Sequence, residues 1–236
     1  MKKIVAAMML ILGMLHAEEI YATFTVEAKQ HADLAFITTG IVSQVNVDIA
    51  SVVKKGTVLA VLENSDANAS LQMAQTALKF AKRDYERQSK VKKLVDEAQF
   101  DRYAYKYEHA KAEVVYKKAL YEKTLLKAPF DGVIYAKMLE VGDAVSGAMI
   151  RTVLKIQSTS ERKLVLDIDQ KYWKVLKAGL TFRYRVDGDE TLHTGTITKV
   201  YPYANSDNRK IHAEVEVSGL TPGLFGSGYI VLPEKK

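Results

Sequence analysis

The middle of the chain repeats apolar or small residues at alternating spacings of four and three, which is typical of a coiled-coil seam. The first series is Ala67, Leu71, Ala74, Leu78, Ala81 and Tyr85. The second series is Phe100, Tyr103, Tyr107, Ala110, Val114, Lys117, Tyr121 and Thr124. The spacing therefore predicts two helices, each about 40 Å long at 1.5 Å per residue.

The connection between the two helices is predicted to be short. Asn64, Ser65 and Asp66 offer caps for the first helix, and Asp96 with Gln99 resembles a capping box at the start of the second. A short connection makes the helices antiparallel, so residues 64–127 are expected to form a hairpin. Within it, Tyr85 should face Tyr103 near the tip, and Ala67 should face Tyr121 or Thr124 near the base.

Outside this segment, apolar residues alternate with polar ones, which predicts half-buried strands. Three alternating series follow residue 162, and they suit a small barrel over residues 158–236. Residues 18–37 are expected to add N-terminal strands to that barrel. The three series are Leu164, Leu166 and Ile168; Phe182, Tyr184 and Val186; and Ile211, Ala213, Val215 and Val217.

Two similar β-rich segments flank the predicted hairpin. GIVSQVNVDIASVVKKGTVLAVLE precedes it, and DGVIYAKMLEVGDAVSGAMIRTVLKIQ follows it. Each begins with Gly and a β-branched pair, reaches a turn glycine and ends in an apolar strand. We therefore predict one small β-sandwich built from residues 38–63 and 128–157, with the hairpin inserted between the halves. The motif glycines are Gly40, Gly56, Gly132, Gly142 and Gly147.

The amino-acid composition agrees with the division into a helical hairpin and β-rich segments, and it excludes several kinds of functional site. Residues 57–128 contain neither Gly nor Pro, as long helices require. The chain has no Cys, which excludes disulfides, thiolate metal sites and a lipid-modified cysteine. No phosphate-binding loop or nucleophile motif is present, so we expect no enzyme, no cofactor and no metal. His212 with Glu214 and Glu216 on one strand face could hold a metal, although an exposed polar edge is favoured.

The N-terminus has the layout of a secretory signal peptide. Lys2 and Lys3 precede an apolar run over residues 4–15, and Ala17 offers a cleavage site. The run is too short to span a bilayer core of about 30 Å. We therefore expect cleavage after Ala17 and export of the remaining chain without a lipid anchor.

The net charge of +6 is concentrated on the hairpin, where residues 66–127 hold 14 basic and 9 acidic residues. Basic residues near aromatic ones could bind nucleic acid. An exported protein rarely meets nucleic acid, so a solvated basic face is the favoured interpretation.

The segment KTLLKAPFDGVI, which returns from the hairpin, carries a family resemblance. Thr124, Leu126, Ala128, Pro129, Phe130, Asp131 and Gly132 fill a pattern of periplasmic adaptor proteins. These are the HlyD-like membrane fusion proteins of tripartite RND-type efflux pumps. We expect Pro129 to end the helix, Phe130 to be a buried plug, and Asp131 and Gly132 to turn the chain into the next strand.

The resemblance implies an elongated α+β fold, with a split lipoyl-like sandwich, an inserted hairpin and a following β-barrel. It implies a non-enzymatic adaptor in the periplasm, peripherally associated with the inner membrane. Its partners would be an inner-membrane efflux transporter, an outer-membrane channel and further copies of the chain in a ring such as a hexamer. Many members of the family also have a membrane-proximal domain built from both termini. We expect a minimal adaptor here, in which contact with the transporter rests on the barrel.

In this family the hairpin tip binds the channel. The matching positions here are a base at Arg87 or Lys90, Leu94, Asp96 and Gln99. The implied cargo is drugs or other small toxic compounds. Adaptors of type I or ABC-type secretion systems and of metal-efflux pumps are the alternatives, and a nucleic-acid-binding hairpin is less favoured. A lipoyl-type cofactor carrier is disfavoured, because the hairpin replaces the turn that would display its lysine.

Overall fold

The computed structural model describes residues 19–91 and 96–233, which divide into two units. One unit is residues 31–159, and the other joins residues 19–30 to residues 160–233. The predicted signal peptide and its cleavage site at Ala17 lie outside the described residues. The α+β fold class predicted from the sequence is confirmed.

The second unit is a closed six-stranded antiparallel barrel in the order β1-β10-β13-β12-β11-β14. Its strands are β1 Glu19–Ala28, β10 Arg162–Asp169, β11 Thr181–Val186, β12 His193–Asn205, β13 Lys210–Val217 and β14 Phe225–Val231. Alternate residues point inward along β1, β10, β11, β13 and β14, as the period-two pattern predicts. The three predicted series supply much of the core, and Phe24 packs edge-on against Phe182 and Tyr184.

The barrel is irregular in β12, whose pairing with β13 shifts between Ile197 and Lys199 and again between Val200 and Ala204. The second shift contains Pro202, which has no amide hydrogen to donate to a neighbouring strand. Tyr201 and Tyr203 flank this proline.

The other unit contains a sandwich of two four-stranded sheets, in the orders β2-β9-β7-β4 and β6-β5-β3-β8. Its strands are β2 His31–Leu34, β3 Gly40–Val45, β4 Val52–Val53, β5 Val58–Leu62, β6 Leu125–Lys127, β7 Gly132–Lys137, β8 Ala144–Val145 and β9 Leu154–Ser158. Leu59, Ile134, Leu154 and Ile156 are completely buried between the sheets.

The two halves of the sandwich repeat each other in hydrogen bonding as well as in sequence. Ala50 N donates to Ile134 O over 2.8 Å, and Gly142 N donates to Val42 O over the same distance. Ala50 and Gly142 both have positive φ, at 69° and 96°. Each half thus sends a short strand across to the other half, and the two segments depend on one another to close the core.

Two predicted boundaries need correction. Strand β2 pairs with β9 in the sandwich, so residues 31–34 do not belong to the barrel as residues 18–37 were expected to. Strand β6 pairs with β5, so the hairpin segment 64–127 ends in a sandwich strand. Residues 57–128 are free of Gly and Pro in both the helices and these strands, so composition alone could not separate them.

The inserted segment forms two helices, α1 Ser65–Lys90 and α2 Glu97–Glu122, which pack against each other. The predicted seam positions are all buried or half-buried. Asn64 and Asp96 occupy the N-cap positions of the two helices, but neither makes a side-chain capping bond, so the predicted capping bonds at these two residues are wrong. At Asn64 the reason is visible: its side chain donates to Thr124 Oγ1 over 3.0 Å, and Glu63 accepts from Ser65 N instead.

Candidate partner-binding surfaces

The tip end of the hairpin is held by aromatic packing. The Tyr85 ring stacks on Tyr107 at 5.3 Å between centroids and contacts Phe100 at 5.6 Å. These are the seam residues on either side of Tyr103, toward which Tyr85 was predicted to point. Phe100 is buried, whereas the hairpin polar groups nearby are exposed. This cluster fixes the two helix ends from which any tip contact must be made.

Four of the five predicted channel-binding residues lie in the described chain, and all four are exposed. Arg87 forms an ion pair with Asp84 one turn earlier, and Lys90 is the last residue of α1. Asp96 precedes α2, and its carbonyl accepts from Gln99 N over 3.1 Å. Leu94 lies outside the described residues. The tip therefore offers charged and polar side chains of both signs at the ends of two helices.

The hairpin also carries large apolar side chains that point away from the seam. Val115 is 66% exposed and Phe80 is 55% exposed, and Arg83 lies over the Phe80 ring at 5.9 Å. The remaining members are Met73 on α1 and Tyr105, Tyr116 and Leu120 on α2. We call these six residues the outer apolar set. These side chains are available for contact with another protein.

The base of the hairpin is tied to the sandwich by specific polar contacts. Thr124 Oγ1 donates to Tyr121 O over 2.6 Å, and Leu62 N donates to Thr124 O over 2.9 Å. Glu63 accepts from both the amide and the hydroxyl of Ser65, and these bonds lower the pKa of the Glu63 carboxyl. Hydrogen bonds therefore hold the chain segment that leads into α1 next to the segment that follows α2.

The return segment after the hairpin does not act as the sequence suggested at Pro129 and Phe130. Helix α2 ends at Glu122, and strand β6 separates it from Pro129, so the proline does not end the helix. Phe130 is half-buried against the sandwich core and is not a fully buried plug. The buried residues of this segment are its neighbours Leu126 and Ala128.

Asp131 and Gly132 do form the predicted turn into β7. Asp131 Oδ1 accepts from Lys55 N over 2.7 Å, which ties the return segment to the turn before β5. A Cβ on Gly132 would lie 2.5 Å from Gln157 O, so only glycine permits the pairing of β7 with β9. The other motif glycines divide into two types. Gly56 and Gly142 have positive φ, whereas Gly40 and Gly147 make close approaches to Leu62 and Ile37.

One side of the barrel carries an ion-pair cluster centred on Glu214. Its carboxylate accepts from Lys163 Nζ at 2.7 Å, Tyr201 Oη at 2.8 Å and Lys199 Nζ at 3.2 Å. Burial opposes ionisation of Glu214, but these hydrogen bonds outweigh it and lower the pKa to about 2. The sequence offered no sign of the cluster, because its members come from three strands.

The neighbouring His212 is engaged as well, with Nδ1 2.8 Å from Asp167 Oδ1. Within residues 19–91 and 96–233, no group of three or more His, Asp or Glu residues could hold a metal ion. The three residues considered as a metal site from the sequence, His212, Glu214 and Glu216, therefore do not form one.

One end of the barrel carries a surface that the sequence prediction missed. Trp173 follows a 3-10 turn at Gln170–Tyr172 and is 64% exposed. It borders a cleft of about 640 Å³. The signal in the sequence was the single tryptophan of the chain between lysines, in QKYWKVLK. The other lining residues are Gln170, Lys171, Val200, Tyr201, Pro202, Tyr203, Ala204 and Ile211.

Neither described helix has a stretch long and apolar enough to cross a bilayer.

Comparison with known proteins identifies the domain family of one part of the chain. Residues 30–150 match the model of the CzcB-like barrel-sandwich hybrid domain. An uncharacterised protein of Haemophilus influenzae is 28% identical over 223 residues, which cover 91% of this chain and 58% of the relative. The chain thus spans less than two thirds of that curated relative.

Solved structures share the fold. A MacA–MexA chimera containing the Pseudomonas aeruginosa MexA α-hairpin domain superposes with a TM-score of 0.83 at 21% identity, covering 92% of this chain and 83% of that one. MacA from Actinobacillus actinomycetemcomitans has a TM-score of 0.75 at 19% identity, with 92% and 79% covered. The membrane fusion protein Spr0693 from Streptococcus pneumoniae has a TM-score of 0.72 at 14% identity, with 91% and 100% covered. The chain therefore belongs to the family defined by the CzcB-like barrel-sandwich hybrid domain.

Proposed function

We propose that this protein is a periplasmic adaptor that links an inner-membrane efflux transporter to an outer-membrane channel. The exported compounds in this proposal are drugs or other small toxic molecules. The observation that carries it is a helical hairpin inserted into a barrel-sandwich hybrid, with an outer apolar set that its own fold leaves exposed. A hairpin of this kind is suited to join copies of itself along its sides and another protein at its tip.

Self-association is the first part of the proposal. The outer apolar set lies on both helices, with Met73 and Phe80 seven residues apart on α1 and four members on α2. A contact between α1 of one copy and α2 of the next would be head-to-tail, and such contacts close into rings. A ring such as a hexamer would bury apolar groups that one copy leaves in water.

Channel binding at the tip is the second part. Arg87, Lys90, Asp96 and Gln99 are exposed at the helix ends, where polar contacts can be exchanged with another protein without a buried charge. Leu94 is assigned to the same tip surface from its position in the sequence alone. Leu94→Asp should abolish export while the folded adaptor accumulates normally, and normal drug resistance in that variant would contradict the role given to Leu94.

Crosslinking tests the tip contact directly, because the chain has no native cysteine. Gln99→Cys, labelled with a photoreactive maleimide in the periplasm, should capture an outer-membrane protein. Ser65→Cys, at the hairpin base, is the matched control and should not. Capture of the same channel from both positions, or from neither, would contradict tip docking.

Growth assays separate the candidate cargoes. A strain lacking the gene should become sensitive to drugs and regain resistance with the wild-type chain. Sensitivity confined to metal salts would instead favour the metal-efflux alternative. Loss of protein secretion without a change in drug resistance would favour a type I or ABC-type secretion adaptor.

A further inference from the structure

The barrel end that carries Trp173 gathers the loops at one pole of the barrel. Because all neighbouring strands are antiparallel, β10, β12 and β14 finish where β1, β11 and β13 begin. We call residues 169–180 and 205–210, which connect strands there, the Trp173 end. The chain leaves the barrel for the other unit at Ala28 and re-enters at Arg162, both at the opposite pole.

Amphipathic side chains dominate the Trp173 end. Lys171 Nζ lies 4.9 Å from the Tyr172 ring centroid, and Lys174 Nζ lies 5.4 Å from the Trp173 centroid. Val175 and Tyr203 are also exposed beside them. Each lysine thus places its ammonium group over the face of an aromatic ring, in a cation–π pair on an exposed surface. Pairs of this kind suit the boundary between lipid headgroups and acyl chains.

The electrostatic balance of the Trp173 end is positive. Its two segments contain five basic residues and two acidic ones, Asp169 and Asp207. The Asp169 carboxylate accepts from Lys171 N at 2.9 Å, so it is engaged with its own turn. The basic residues are Lys171, Lys174, Lys177, Arg209 and Lys210.

The cleft at this end has the size and lining for part of an amphipathic molecule. Its walls include Trp173, Tyr201 and Tyr203, and Lys171 stands at its edge. The bulge at Pro202 opens the cleft by removing this stretch of β12 from pairing with β13. A cleft of about 640 Å³ lies in the range that accommodates a small ligand.

We infer that the Trp173 end docks on the surface of a bilayer containing anionic phospholipid. Trp173 and Tyr203 enter the headgroup layer, Lys171, Lys174 and Lys177 pair with lipid phosphates, and the cleft receives part of one lipid. The docking surface goes beyond the proposed adaptor function and does not require the transporter or the channel. It would hold the barrel against the inner membrane without a membrane-spanning helix.

Lipid vesicles test this inference with a reporter that the chain already contains, since Trp173 is its single tryptophan. The protein is purified from the periplasm, and its N-terminus is determined by mass spectrometry. Vesicles of phosphatidylethanolamine with phosphatidylglycerol should bind the protein and shift Trp173 emission to the blue. Lipids brominated near the headgroup should quench that emission. Vesicles of phosphatidylcholine alone should give neither effect.

Matched variants separate docking from general attraction of a basic protein to anionic vesicles. Replacement of Lys171, Lys174 and Lys177 by Gln should lower the partition coefficient by about fivefold for each lysine removed. The control replaces Lys79, Lys118 and Lys123 of the hairpin by Gln, which removes the same charge and should leave lipid binding nearly unchanged. Trp173→Ala should also weaken lipid binding, whereas Tyr135→Ala on the sandwich should not.

Three outcomes would overturn the inference. Equal losses from the barrel and hairpin lysine variants would show unspecific attraction. Vesicle binding without a blue shift would place another surface on the lipid. Binding to transporter-containing proteoliposomes but not to lipid alone would identify the Trp173 end as a protein-binding surface. Circular dichroism of each variant checks that the fold is retained.

Discussion

The barrel and the hairpin bury their apolar residues in opposite ways. The barrel closes its sheet around a core in which Phe24, Leu166 and Phe182 are at most 1% exposed. In the described residues of helices α1 and α2, only Leu71, Ala74 and Phe100 are buried. The barrel thus supplies its own stability, whereas two helices can cover only one stripe of each other. The hairpin therefore leaves more apolar side chains available for contacts with other proteins than the barrel does. Single substitutions in the two regions can test this difference.

A core truncation in the barrel should have the largest effect. Phe24→Ala would leave a cavity beside Phe182 and Tyr184, and we expect it to lower the free energy of unfolding by about 3–5 kcal/mol. Leu78→Ala, at a half-buried seam position, should cost only about 1 kcal/mol, because its site is open to water. Urea titration followed by Trp173 fluorescence reports the barrel. An unchanged urea midpoint for Phe24→Ala would contradict the claim that the barrel core stabilises the barrel.

The sandwich offers the next largest effect, at a single glycine. Gly132→Ala places a Cβ 2.5 Å from Gln157 O, so β7 must move away from β9, at a cost of about 2–3 kcal/mol. Gly142→Ala is the control. Its Cβ meets nothing within 4 Å, and Ala50 already adopts positive φ at the matching position, so we expect about 1 kcal/mol. Thermal unfolding of the two variants should rank them in this order, and equal losses would contradict the role of close approach.

These regions also differ in how far the sequence predicted them. The helical seam and the barrel strands follow from periodicity, because each extends over enough residues for the period to emerge. Strand β6 has three residues, too few to distinguish a strand from a helix end. Strand β2 joins the sandwich through β9, more than a hundred residues later, and no local pattern encodes that pairing.

The candidate sites show the same limit. The four described tip residues could be placed at the helix ends from their positions in the predicted hairpin. The Glu214 cluster and the cleft at Trp173 could not, because each combines residues from separate parts of the barrel. The predicted capping bond of Asn64 is absent because its side chain donates a hydrogen bond to Thr124 across the base of the hairpin and does not cap its own helix.

A tip truncation should have an intermediate and local effect. Tyr85→Ala removes contacts with Phe100 and Tyr107, and we expect a loss of about 1–2 kcal/mol confined to the hairpin. Hydrogen exchange should quicken in the second half of α1 and the first half of α2, with the barrel amides unchanged. Tyr105→Ala, which loses an exposed ring, serves as the control. Faster exchange throughout both units would show that the hairpin and barrel are not independent in stability.

The Glu214 cluster should give the barrel a smaller, pH-dependent effect. The folded pKa of about 2 lies below the ordinary value of 4.5, so the stabilisation is present above pH 4.5 and is lost as the pH falls toward 2. Solvent screening leaves about 1–2 kcal/mol. Glu214→Gln should be less stable than wild type at pH 7, and the difference should vanish near pH 2.

Denaturant titrations across this pH range measure the effect. Glu216→Gln provides the control, since Glu216 is exposed and lies 3.6 Å from Lys29 Nζ. A stability gap between Glu214→Gln and wild type that persists unchanged at low pH would contradict the assignment of the acid transition to Glu214.

The smallest effect on stability should come from substitutions in the outer apolar set, because these side chains are exposed, whereas those of the barrel core are buried. Phe80→Asp and Val115→Asp replace exposed side chains, so each should change the free energy of unfolding by less than about 0.5 kcal/mol. Both should nevertheless prevent self-association in sedimentation experiments and reduce export, because a charge would be buried between copies. Gln72→Asp adds the same charge at an exposed α1 position outside the set and should preserve both properties. Normal assembly of Phe80→Asp and Val115→Asp would mean that copies meet through another surface, and the exposure of these side chains would then have to be explained by a different partner.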